Sequence, residues 1–107
     1  MKLRSNLILL GALATLAVPA ALAQSPGAAI YGQKCAMCHG ADGKATTPVA
    51  KMMQVPSFDT AACRAKSNAA LEAMIEKGKG RMPAYQSQLS GAQVKDLVAY
   101  IRTLQKK

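Results

Sequence analysis

An all-α domain with long connecting loops is what this sequence predicts. Three stretches carry apolar residues at helical spacing, and none shows the sustained two-residue alternation of a half-buried strand. Glycine and proline punctuate the segments between them. At 107 residues the chain has room for one domain, and it contains no internal repeat or low-complexity tract.

The first element reads as an address rather than as part of that domain. Lys2 and Arg4 give a positive start, Leu7 to Val18 is an uncharged apolar run, and Ala21-Leu22-Ala23 has the small-x-small form of a signal-peptidase site. Cleavage after Ala23 is expected, so residues 1–23 are a signal peptide and residues 24–107 the exported domain. The apolar run is short for a membrane span, and Pro19 suits a cleavage region better than an anchor. The 84 residues that remain are few for a core held by apolar burial alone. Trp is absent and Phe58 is the single Phe, so side chains alone fill a core with difficulty; a large flat cofactor would fill it.

The first helix is expected from about Pro26 to Cys38, with Pro26 suited to its start and Gly40, Asp42 and Gly43 breaking it. The second, Asn68 to Lys77, places Leu71, Met74 and Ile75 on one face between Ser67 as N-cap and Gly78 as stop. The third carries the strongest signal. Ser90 with Gln93 makes a capping box, and Val94, Leu97, Val98, Ile101 and Leu104 follow at helical spacing. Short helical turns near Val49 to Met53 and Asp59 to Cys63 are weakly signalled. The loops from Gly40 to about Lys66 and from Gly78 to Leu89 are long for so small a domain, and such loops commonly wrap a ligand.

The chemistry sits in Cys35-Ala36-Met37-Cys38-His39. Two thiols separated by two residues face one edge of a porphyrin from a single helical turn and add across its vinyl groups, while the next residue brings an imidazole under the iron. A zinc site of Cys35, Cys38, His39 and Cys63 fits less well, because Cys63 has no paired partner and a His directly after a Cys is awkward for a tetrahedral shell. A redox disulfide would bring a βαβ pattern, which is missing. Haem c is therefore the cofactor expected at Cys35 and Cys38, with His39 on its iron.

His39 is the only histidine, so a second axial ligand comes from another residue type or the position stays open. Six methionines form the pool. Met1 leaves with the leader, Met37 lies in the attachment turn, and Met74 belongs to an apolar helical stripe. Met52 and Met53 lie in a loop of undetermined path. Met82 lies in Gly78-Lys79-Gly80-Arg81-Met82-Pro83-Ala84-Tyr85, where two glycines permit close approach to a flat ligand and Pro83 stiffens the chain.

From about Pro26 to Leu104 the sequence resembles a class I cytochrome c of the small single-haem bacterial and algal kind. The resemblance implies that Met82 is the sixth iron ligand. It implies that the first and last helices cross through Gly27 and Tyr31 against Leu97 and Tyr100. It also implies a proline carbonyl bonded to the proximal imidazole, with Pro56 the better match and Pro48 the alternative. Cys63 departs from what the motif needs, and reads as a small packed residue or as an unpaired thiol in an oxidising compartment.

The function expected is that of a soluble one-electron carrier with His/Met-ligated haem, not an enzyme, acting in the periplasm as a monomer. Its leader aside, the chain keeps +7 of its formal +9 charge, because residues 1–23 hold Lys2 and Arg4 and no acid. A basic surface favours anionic partners. Export and the lack of basic residues interleaved with aromatics argue against nucleic acid, which leaves redox proteins with acidic docking surfaces, and membranes only through redox complexes. Lys34, Lys44, Lys51, Lys77, Lys79 and Arg81 are the candidates to surround a haem edge. An accessory haem subunit of a larger redox complex is the alternative, and a haem enzyme with an open distal site fits poorly with the single His.

Overall fold

Serine and threonine hydroxyls begin five of the helices, each accepting a backbone N–H that the first turn would otherwise leave unpaired. In the computed structural model, which describes residues 11–12 and 25–106, Ser25 caps α1 (Pro26–Lys34). Thr47 caps α3 (Pro48–Met52), and Thr60 caps α4 (Ala61–Ala65). Ser67 caps α5 (Asn68–Lys77), with Gly78 following its last turn. Ser90 and Gln93 form the reciprocal capping box of α6 (Gly91–Leu104), at 3.1 and 2.9 Å. The remaining helix, α2 (Ala36–His39), carries the attachment motif. The expected cleavage after Ala23, and all of the leader except Gly11 and Ala12, lie outside the described residues.

The all-α expectation holds: among the described residues there is no strand, only an isolated bridge between Lys79 and Met82. The helix expected over Pro26 to Cys38 is divided. Cys35 adopts φ −116° and ψ −36°, its N–H still donating to the Tyr31 carbonyl, and its own carbonyl accepts both the Cys38 and the His39 N–H. No glycine or proline marks this break. It is a tertiary effect: the Tyr31 hydroxyl donates to the Gly40 carbonyl at 2.5 Å and holds the end of α2 against the middle of α1.

One apolar stripe organises the domain. Val94, Leu97, Val98, Ile101 and Leu104 are all buried along α6, and α1 and α5 pack on that helix with Tyr31, Leu71 and Ile75. Each such side chain removed from water contributes roughly 1.5–3 kcal/mol. The crossing of α1 over α6 matches the implied contact. A Cβ on Gly27 would lie 2.7 Å from the Asp96 carbonyl carbon, so only glycine lets the backbones meet there. The Tyr31 and Tyr100 rings pack at 5.2 Å beside it.

The C-terminal end of α6 gathers the 58–68 segment. Arg64 donates to the Gln105 carbonyl at 2.8 Å and pairs with Asp59, while Arg102 donates to the Lys66 carbonyl and to Asn68 Oδ1. Cations are favoured at that end of a helix. No helix among the described residues is long and apolar enough to cross a membrane.

Candidate functional site

The turn from Cys35 to His39 brings both thiols and the imidazole to one wall of a cavity of about 640 Å³, within the usual range of cofactor pockets. Leu71, Met74, Ile75 and Ile101 make an apolar floor from α5 and α6. Burial shapes the titration of Cys35 and His39 on this wall. It pushes the Cys35 thiol up to about 11 despite the opposing pull of Lys34, and it lowers the His39 pKa. The imidazole is therefore neutral near pH 7, the form that binds a metal. Its Nδ1 is buried without a hydrogen-bond partner among the described residues.

Met82 reaches the same cavity from the loop after α5. Lys79 and Met82 exchange two backbone hydrogen bonds, of 3.1 and 3.0 Å, around Gly80, whose φ of +57° suits glycine. Beyond the turn, the Tyr85 and Gln86 N–H groups donate to the Ile75 and Glu76 carbonyls, and the Tyr85 hydroxyl donates to the Lys34 carbonyl. The irregular segment is thus tied to α5 and α1. Gly78 and Gly80 divide the role that the sequence assigns to both. Gly80 lines the cavity, whereas a Cβ on Gly78 would meet the Met82 carbonyl oxygen at 2.5 Å and so would spoil the fold of the loop itself.

The other methionines separate by position. Met37 and Met52 are 78% and 75% exposed and do not line the cavity, while Met53 and Met74 do. Pro56 lines the cavity with His39 and Pro48 does not, but neither carbonyl is bonded to Nδ1. Cys63 lies on the cavity wall with Gln105 Nε2 at 3.6 Å from its sulfur. Among the described residues no three His, Cys, Asp or Glu side chains converge to hold a metal ion.

Comparison with known proteins identifies the family. Residues 22–101 match the family model described as cytochrome c oxidase, cbb3-type, subunit III. The chain is 37% identical over 105 residues to cytochrome c6 of Nostoc sp. strain PCC 7120, covering 94% of this chain and 92% of that one. The chain belongs to the class I cytochromes c. Cytochrome c6 of Synechocystis sp. strain PCC 6803 is 33% identical over 96 residues, with 89% of this chain and 78% of that one covered. A solved structure, the KustC0563 c-type cytochrome, superimposes with a TM-score of 0.67 at 29% identity over 73% of this chain and 95% of its own.

As a cytochrome c, this protein carries covalently bound haem c and transfers electrons rather than catalysing a reaction. The residues present fit that cofactor. A large, mainly apolar cavity offers two thiols and a neutral, buried imidazole on one wall and a thioether from a pinned loop. Two neighbours of the site were not legible as such in the sequence. Phe58 stacks on His39, and Gln105 donates to the Phe58 carbonyl. The only sequence signals were that Phe58 is the single Phe and that it follows Pro56 by two residues.

Proposed function

We propose that this cytochrome c is a one-electron carrier whose haem is bonded to the Cys35 and Cys38 sulfurs, with His39 and Met82 as axial ligands. Haem c supplies a one-electron iron couple when bound. The observation that carries the reading is the convergence of Cys35, Cys38, His39 and Met82 on one apolar cavity. The thiols fix the cofactor in a domain too small to enclose it by burial alone. His39 donates as a neutral imidazole, and Met82 as a soft thioether that favours the reduced state. With both side chains bound to it, the iron would have no position left for a substrate. The apolar floor under Leu71, Ile75 and Ile101 excludes water and limits the reorganisation that accompanies a change of charge.

The backbone ties of the Lys79–Met82 turn support Met82 over Met53 and Met74, since a ligand needs a stiff mount. Absorption spectra of the oxidised and reduced protein test the assignment. Met82→Ala is expected to lose the weak ferric charge-transfer band of thioether ligation, and Met53→Ala and Met74→Ala to keep it. The converse pattern would move the ligand to another methionine, and a protein without covalent haem would overturn the whole reading.

The carrier works outside the cytoplasmic membrane, delivered there by the leader, and it meets redox proteins that present acidic surfaces. A mature N-terminus at Gln24 is the expected product; a protein retaining residues 1–23 would contradict it. The second reading is a haem subunit of a larger redox complex. The family model, described as an oxidase subunit, favours it. A haem-containing partner that co-purifies through gel filtration would select it over a free monomeric shuttle.

A further inference from the structure

Helix α3 ends on a glutamine at a position that suits glycine. Met53 closes the helix, the Gln54 N–H donates to the Lys51 carbonyl at 3.3 Å, and the Val55 N–H donates to the Ala50 carbonyl at 2.9 Å. This pair of bonds stops a helix by turning the residue after the cap into the left-handed region, and Gln54 has φ +55°. Glycine takes that conformation without steric cost, and glutamine does not. Backbone strain of this kind persists where the side chain has a use. Gln54 is exposed and yet lines the cavity, so it stands at the mouth.

Arg81 comes to the same mouth from the loop that carries Met82. It is exposed, lines the cavity, and donates from Nη1 to the Met52 carbonyl at 3.2 Å, two residues before Gln54. That bond leaves the other N–H donors of the guanidinium unused, and among the described residues the one ion pair is Arg64 with Asp59. Lys34, Lys66 and Lys79 also line the cavity, and no Asp or Glu does. An apolar floor with a cationic, amide-bearing mouth suits a ligand that is flat and apolar at one end and anionic at the other. Haem has this form, and its anionic end is a pair of propionate carboxylates. We propose that Gln54 and Arg81 together seat one of these carboxylates, Arg81 through charge-assisted hydrogen bonds and Gln54 through its side-chain amide. Lys34 adjoins Cys35 on the attachment wall, and Lys66 and Lys79 are point charges on flexible stems, whereas Arg81 is fixed by its bond to α3. The proposal rests on the haem occupying this cavity, as proposed above.

The test uses full-length, haem-loaded protein whose propionate carboxyls are isotopically labelled, by growth on aminolevulinate labelled in its carboxyl carbon. Carbon NMR follows both carboxyl resonances against pH in the ferrous state. The parent tests the cofactor alone: paired carboxyl resonances from covalently held haem are expected, and a protein without them would defeat the haem reading before any variant is made. One carboxyl is expected to titrate below the other. Arg81→Gln is expected to raise the proton affinity of that carboxyl about tenfold and to move the other less. Arg81→Lys is expected to fall between, since the charge remains and the fork is lost. Gln54→Leu and Gln54→Gly are each expected to raise the same affinity by a smaller factor. Gln54→Gly relieves the left-handed backbone, so a disturbed fold does not account for its effect, and it carries the test where Arg81→Gln does not mature. Carboxyls that titrate as in the parent in the variants that mature, or that shift together by one factor, would overturn the proposal. The first result shows no contact, and the second only a change in overall charge.

Discussion

Tyr31 shows how much one side chain links at this site. It is buried to 2% exposure, packs on Tyr100 and Phe58, and donates its hydroxyl to the Gly40 carbonyl one residue beyond His39. Burial holds its phenol pKa well above the ordinary value of about 10, and neighbouring groups that ionise negatively, Asp42 among them, add to the shift. A folded-state pKa above the unfolded one means stability that is fully present below about pH 10 and lost as pH rises through the folded value. Tyr31→Phe is therefore expected to cost about 1 kcal/mol near pH 7, where the hydrogen bond is missing, and to unfold less steeply at alkaline pH. Thermal melts of both proteins between pH 7 and pH 11 check this; a difference in midpoint that stays constant across that range would refute it.

At the scale of elements, α1 and α6 depend on one another through a glycine. Alanine is the better helix former by about 1 kcal/mol, but a Cβ at Gly27 would press on the Asp96 carbonyl, and backbone cannot yield as a side-chain tip does. Overpacking costs about 1–3 kcal/mol, so Gly27→Ala is expected to lower stability despite its propensity. Ser90→Ala, which removes the capping box, is expected to cost about 1 kcal/mol. Denaturant midpoints give both values, and a stabilised Gly27→Ala protein would show that the crossing has room. These two sites also mark what the sequence could reveal. Caps and apolar spacing placed α5 at Asn68–Lys77 and the start of α6 after Ser90, because both signals are local. The break at Cys35 was hidden because it answers to Tyr31 and Gly40, and α3 and α4 are too short for periodicity to register. That Cys35, Cys38 and His39 share the cavity with Met82 was legible as an expectation from spacing, the glycine-flanked loop and the family resemblance; Phe58 and Gln105 were not, since they meet only when α6 closes on the 58–68 segment.

For the whole molecule, charge and size each lead to an expectation. A net positive charge would attract acidic partners, and such an attraction is screened over about 10 Å at 0.1 M salt. Electron transfer to an acidic partner is expected to slow as ionic strength rises, and stopped-flow rates independent of salt would exclude steering. Size bears on folding itself. Without a cofactor in it, the cavity of about 640 Å³ leaves Leu71, Ile75 and Ile101 without apolar contacts on one side. Burial alone gives so small a domain only marginal stability, so the helices are expected to depend on the haem. Cys35→Ala combined with Cys38→Ala, which removes covalent attachment, is expected to leave a chain with little helical circular dichroism and no cooperative melt. A haem-free variant that retained the parent's helical signal and a sharp transition would show that α1, α5 and α6 suffice as a core on their own.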